Sequence, residues 1–261
     1  MACMTTIATI RARASSLVLC IFVAGCGAQG YGGPTAAAPE AAAPASAYPT
    51  RSRADFGRVA ARVEAATKSV CAERTGPARP GSCDFDFVLA VDPAAPPNAF
   101  QSRSADGRPT ITLTSSLLAQ LRDDDEIATV LAHEAAHHVA GHIARANDPA
   151  SAEAFLLGAA DAKAGGSTGG DRSTRLERAR ALELEADWIG AFIAERSGYA
   201  PEKGAEIFRR AAARRGSPSR MSSHPDPSRR LEVISAAVAE IHRERSAGLT
   251  PSPENAPVPL P

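Results

Sequence analysis

Apolar side chains recur at Phe56, Val59, Ala60, Val63 and Ala66, the spacing of one face of a helix, and predict a helix over residues 51 to 75. The period then changes. Phe85, Phe87, Leu89 and Val91 alternate with Asp84, Asp86, Val88 and Ala90, which predicts a strand. After a Pro-rich turn, Thr110-Ile111-Thr112-Leu113-Thr114 predicts a second. Helical spacing follows. Ser115 and Ser116 offer caps for a short helix through Leu117, Leu118 and Leu121, and Asp123 to Asp125 supply the cap and first-turn acids of a longer helix over about 126 to 144. Further helices are expected at about 174 to 197, ended by Gly198, at 201 to 215 with Pro201 in the first turn, and at 228 to 246. The pattern predicts an α+β domain over 51–246, mainly helical, with a small β-sheet beside the longer central helix.

The flanks read differently. Arg11 and Arg13 precede the apolar run Ala14 to Ala24, which is too short to span a bilayer, so residues 1–25 read as a signal peptide. Val23-Ala24-Gly25-Cys26 resembles a bacterial lipobox, which implies lipidation at Cys26, and Gly27 after it implies sorting to the outer membrane. Residues 26–50, rich in Ala, Pro and Gly with one charge at Glu40, form no core and read as a tether from the lipid. Residues 247–261, with Pro251, Pro253, Pro257, Pro259 and Pro261, are expected to be a disordered tail. The expected location is thus periplasmic, with membrane contact through the lipid anchor.

At 261 residues and 44% hydrophobic content the chain supports one ordinary core. The formal charge is zero, and removal of residues 1–26 leaves 27 basic against 29 acidic side chains, so no nucleic-acid partner is expected. Removing the leader also leaves Cys71 and Cys83 as a pair in an oxidising compartment, read as a disulfide closing a short loop. Gly165-Gly166-Ser167-Thr168-Gly169-Gly170 lacks the lysine of a phosphate-binding loop and reads as a mobile connection or an inert linker.

One constellation carries chemistry. His133-Glu134-Ala135-Ala136-His137 lies within the predicted central helix, where four residues at 100° leave the two histidines only 40° apart on one face. Both imidazoles can reach one metal ion, and Glu134 stays on that side as a candidate general base for a metal-bound water. A catalytic zinc needs a third protein ligand and an open position. A histidine six residues beyond His137 is excluded, because Ile143 stands there. Glu183 and Asp187 share a face of a later helix: Glu183 can ligate, and Asp187 can accept a hydrogen bond from the far nitrogen of a ligand histidine. Glu185 points nearly opposite to Glu183 on the wheel. His138 faces away from the metal pair, His142 reads as structural, and His242 as solvent-facing.

These segments, with Asn98-Ala99-Phe100, Ile111 to Leu121, Asp125 to Ala132, Gly198-Tyr199 and Ser223-His224-Pro225, resemble the HtpX and CAAX prenyl protease family of zinc peptidases, in particular its soluble periplasmic BepA-like lipoprotein branch. The resemblance covers roughly residues 55 to 243 and implies a zincin-like metallopeptidase domain. It implies one Zn2+ per chain on His133, His137 and Glu183, Glu134 as base and Asp187 behind the ligands. It further implies an endopeptidase of the bacterial envelope that hydrolyses misfolded or stalled proteins, with unfolded polypeptides as partners. Strand Thr110 to Ser115 is the expected edge for an extended substrate. His224, held by Pro225, is implied to overhang the cleft, either as a hydrogen-bond donor to the reacting oxygen or as a silencing fourth ligand. The alternative function is a lipoprotein chaperone or assembly factor that keeps a zinc-stabilised fold and cleaves little.

Overall fold

A computed structural model describes residues 50–76, 82–142, 169–215 and 226–258. Helix α1 (Arg53–Thr75) starts at a reciprocal cap, in which the Ser52 hydroxyl accepts from the Asp55 amide and the Asp55 carboxylate accepts from the Ser52 amide. Three strands follow: β1 (Asp86–Ala90), β2 (Ala99–Arg103) and β3 (Pro109–Thr114). Next come the short α2 (Ser115–Leu118) and the central α3 (Asp124–Val139). The chain continues through α4 (Gly169–Arg196), α5 (Pro201–Gly204), α6 (Glu206–Arg215) and α7 (Pro227–Ser246). The α+β class is as expected.

The sheet order is β1-β3-β2, with β1 parallel and β2 antiparallel to β3. The strand expected to offer a free edge is therefore the central one, and both its sides are already paired. β2 gave no strand signal because Phe100-Gln101-Ser102-Arg103 lacks alternation; its pairing to β3 makes it a strand, not its own pattern. Ile111 and Leu113 of β3 are fully buried and face the helical core formed by Val59 and Val63 of α1, Ile127 and Leu131 of α3, Ile189 and Ile193 of α4, and Val233 and Ile241 of α7. A disulfide joins Cys71 at the end of α1 to Cys83 ahead of β1, as expected.

Several boundaries differ from the sequence pattern. The central helix stops at Val139 rather than near residue 144, because Gly141 takes a left-handed conformation (φ 73°) and turns the chain. The stretch 201 to 215 breaks at Ala205, where Gly204 packs onto α3 with no room for a side chain: a Cβ would meet Thr129 Oγ1 and Asp125 O at 2.0 and 2.2 Å. Caps shift as well: α2 is capped by Thr114 and α7 by Asp226, to which the Ser228 amide donates.

The C-terminal segment is packed up to Val258 where disorder is expected from its composition. The Trp188 indole donates to Pro253 O (3.3 Å), Arg196 donates to Pro251 O (2.5 Å), and the Ser252 amide donates to the buried Glu244 carboxylate (2.9 Å). The prolines lose little freedom on ordering, and their carbonyls accept from α4 donors, one of them the buried Trp188 indole. Cys26 and the rest of the expected leader and tether up to Pro49, residues 165–168 of the Gly-rich stretch, and His224 lie outside the described residues.

Candidate metal centre

The site is built where α4 crosses α3 at very close range. Gly190 permits this approach, since a Cβ there would lie 3.2 Å from both Cα and N of His133. The preceding two turns of α4 thereby bring Glu183 and Asp187 over the histidines of α3. His133 and His137 present their Nε2 atoms 3.3 Å apart, and Glu183 Oε2 lies 3.5 Å from the first while Oε1 lies 3.8 Å from the second. The ligand atoms of these three residues all fall within 4.8 Å of one another. Tetrahedral zinc with bonds of about 2.0–2.1 Å spaces its ligand atoms by roughly 3.3–3.5 Å, so the donor set fits such an ion in both type and spacing.

Each histidine is backed through its other ring nitrogen. His133 Nδ1 lies 3.0 Å from Asp187 Oδ1. Asp187 is gripped by both arms of the Arg230 guanidinium, with Nε to Oδ2 at 2.8 Å and Nη2 to Oδ1 at 2.6 Å. Arg230 stacks on the Phe208 ring, 3.6 Å from its centroid, and lies against the His133 imidazole. Burial works against the charge of Asp187, but Arg230 and His133 outweigh it and hold its carboxyl below the usual carboxylate range. Burial likewise opposes the charge of Arg230, and Asp187, Glu183 and Glu134 keep it cationic. Glu134 is half-buried next to His133.

The two histidines are electrostatically unlike. Burial and the neighbouring His133 push His137 down to about 3, which keeps it a neutral imidazole with a lone pair to give. Burial and Arg230 also press on His133, but hydrogen bonds to Asp187 and Glu183 prevail and raise it to about 9.

Behind His137 stands His142, with the two Nδ1 atoms 2.7 Å apart. His142 Nε2 in turn lies 3.3 Å from Glu185 Oε2. The helical wheel sets His142 far from the metal pair; that placement fails because the central helix ends before Gly141, and the chain beyond it carries His142 to the back of His137, where Glu185 of α4 meets it. Arg230 is the other residue that sequence reasoning missed. The glycine four residues after the motif was a readable signal for His142, whereas nothing local marks Arg230. His138 faces away from the metal pair as expected and donates from Nε2 to Ser102 O of β2 (2.8 Å), edge-on to Phe85. Burial pushes its pKa down to about 4, so it is a neutral clamp between α3 and β2. His242 is exposed.

A small sheet beside a helix with histidines one turn apart, completed by a carboxylate from the next long helix, defines a zincin-like domain. The chain belongs to peptidase family M48, which matches residues 58–238. It is 35% identical over 163 residues to the mitochondrial metalloendopeptidase OMA1 of Saccharomyces cerevisiae, covering 58% of this chain and 46% of that protein. Proteins of the same name from Arabidopsis thaliana (30% over 153 residues, 54% of this chain and 31% of the relative) and Schizosaccharomyces pombe (28% over 177 residues, 64% and 51%) are also similar. The chain spans about half or less of the length of these relatives. They correct one expectation: all three are mitochondrial proteins, which overturns the periplasmic, outer-membrane location inferred from the leader and Cys26.

Proposed function

We propose that the chain is a zinc-dependent endopeptidase that hydrolyses peptide bonds of unfolded or stalled polypeptides. The observation that carries this reading is the convergence of His133, His137 and Glu183 within 4.8 Å, with Glu134 on the same helix beside them. His133, His137 and Glu183 would hold the ion. When bound, zinc supplies a water of lowered pKa and polarises the substrate carbonyl. Glu134 takes the proton from the attacking water and returns it to the leaving amine. Asp187, clamped by Arg230, fixes the His133 proton on Nδ1 so that Nε2 faces the ligand position.

Substrate selection follows from the sheet. Asn98 and Ser104 bond to Thr114 and Arg108 on the β3 side, and the alternation of an antiparallel pair then turns the backbone groups of Ala99, Gln101 and Arg103 outward. Of the two edge strands, β1 and β2, our candidate for an extended peptide is β2, which His138 ties to α3. Main-chain pairing there gives affinity with little side-chain selectivity, which suits unfolded clients. From the family resemblance alone, His224 is proposed as an oxyanion donor or silencing ligand at the metal; turnover and zinc affinity of His224→Ala test it. Metal analysis of the purified protein, with casein digestion before and after chelation, tests the whole reading. One zinc per chain and chelator-sensitive cleavage support it. Bound zinc without cleavage would instead favour a chaperone with a zinc-stabilised fold.

A further inference from the structure

The contact between His137 and His142 joins two ring nitrogens at 2.7 Å, so one nitrogen must carry a proton and the other a lone pair. If His137 gives its Nε2 lone pair to a metal, its ring proton sits on Nδ1 and His137 is the donor. His142 then accepts at Nδ1, and as a neutral ring it carries its own proton on Nε2, directed at Glu185 Oε2 3.3 Å away. Every polar atom in the chain of contacts is satisfied by this one assignment. Glu185 is itself held by Arg74 (3.3 Å), which also binds Glu254 of the C-terminal segment (2.9 Å).

The fold is arranged to make this contact. Gly141 ends α3 with a positive φ, and His142, only 4% exposed, is turned under His137 with the rings edge to face at 72°. On α4 the acids at 183, 185 and 187 divide the labour: Glu183 faces the two Nε2 atoms, Asp187 backs His133, and Glu185 backs His137 through His142. We propose that His142 and Glu185 are positioning residues that fix the tautomer and ring orientation of His137 and raise its basicity toward the metal. The proposal rests on the metal-site reading above. A hydrogen-bonded partner of this kind is worth roughly 10- to 100-fold in metal affinity.

The test uses the full chain, freed of metal and titrated with zinc against a chromophoric chelator, with the visible spectrum of the Co(II)-loaded protein as a second readout. His142→Phe fills the space without accepting a proton and is expected to weaken zinc binding roughly 10- to 100-fold and to alter the cobalt bands. His142→Asn, which keeps an acceptor near the Nδ1 position, is expected to recover most of the affinity. Glu185→Gln is expected to fall between wild type and His142→Phe. Wild-type zinc affinity and cobalt spectrum in His142→Phe overturn the proposal. Should His142→Phe fail to fold, wild-type affinity in Glu185→Gln overturns it equally. Glu183→Ala separates the two levels. If it loses zinc while the His142 and Glu185 variants bind normally, only this inference fails; if it keeps zinc, the metal-site reading fails and takes this inference with it.

Discussion

Gly190 lies against the backbone of His133, with its missing Cβ only 3.2 Å from the histidine's Cα and N. The contact sets how near α4 comes to α3, and with it how far Glu183 and Asp187 reach. In Gly190→Ala the added methyl meets backbone, which cannot swing away as a side chain can. The variant is expected to lose about 1–3 kcal/mol of stability and to bind zinc more weakly. Thermal melting of the metal-free protein and zinc titration check both halves. Wild-type values in both would show that the crossing is not controlled at this position.

Arg230 and Asp187 form a buried, two-armed ion pair. Removing one partner strands the other charge away from water, which costs about 3–5 kcal/mol. Arg230→Met should therefore melt far below wild type, and adding Asp187→Asn should return part of the loss. The double variant should still bind zinc less tightly, since His133 has lost its anionic partner. A double-mutant cycle in melting temperature reads the coupling. Strict additivity would contradict the pair's proposed role.

The sequence made part of this site legible and hid the rest for identifiable reasons. His133, Glu134 and His137 could be placed together because a helix fixes the angle between residues one turn apart, and Glu183 with Asp187 followed by the same rule. That rule holds only while the helix lasts. His142 lies one residue beyond the turn at Gly141, where the wheel no longer describes direction, and Glu185, turned away from Glu183 by its own helix, had no visible partner without it. Arg230 joins the site through the packing of α7 on α4, which no local pattern encodes. β2 owes its extended form to β3, so that edge strand was equally invisible, and the C-terminal prolines are ordered by donors on α4.

The disulfide between Cys71 and Cys83 spans a sequence separation of 12 residues. Closing so short a loop is worth about 3 kcal/mol in the chain-entropy model. Reduction should lower the melting temperature while leaving zinc content unchanged, because the bridge ties α1 to the segment ahead of β1 and neither cysteine contacts a ligand residue among the described residues. Loss of zinc on reduction would show that this part of the fold supports the metal centre.

Substrate pairing to β2 can be tested at Gln101, whose backbone N–H faces away from β3 by the strand register. An edge strand tolerates proline on its open side. Gln101→Pro is expected to raise KM for unfolded substrates while preserving zinc content and fold. An unchanged KM would place the peptide elsewhere.

The central claim is that Glu134 acts on a water held at the His133, His137 and Glu183 site. The most direct measurement is turnover of Glu134→Gln on an unfolded substrate, made alongside zinc content. The amide keeps the shape of the side chain but cannot take the proton, so the variant should retain one zinc per chain and lose about 100-fold or more in turnover. Undiminished cleavage by the zinc-loaded variant would contradict the account.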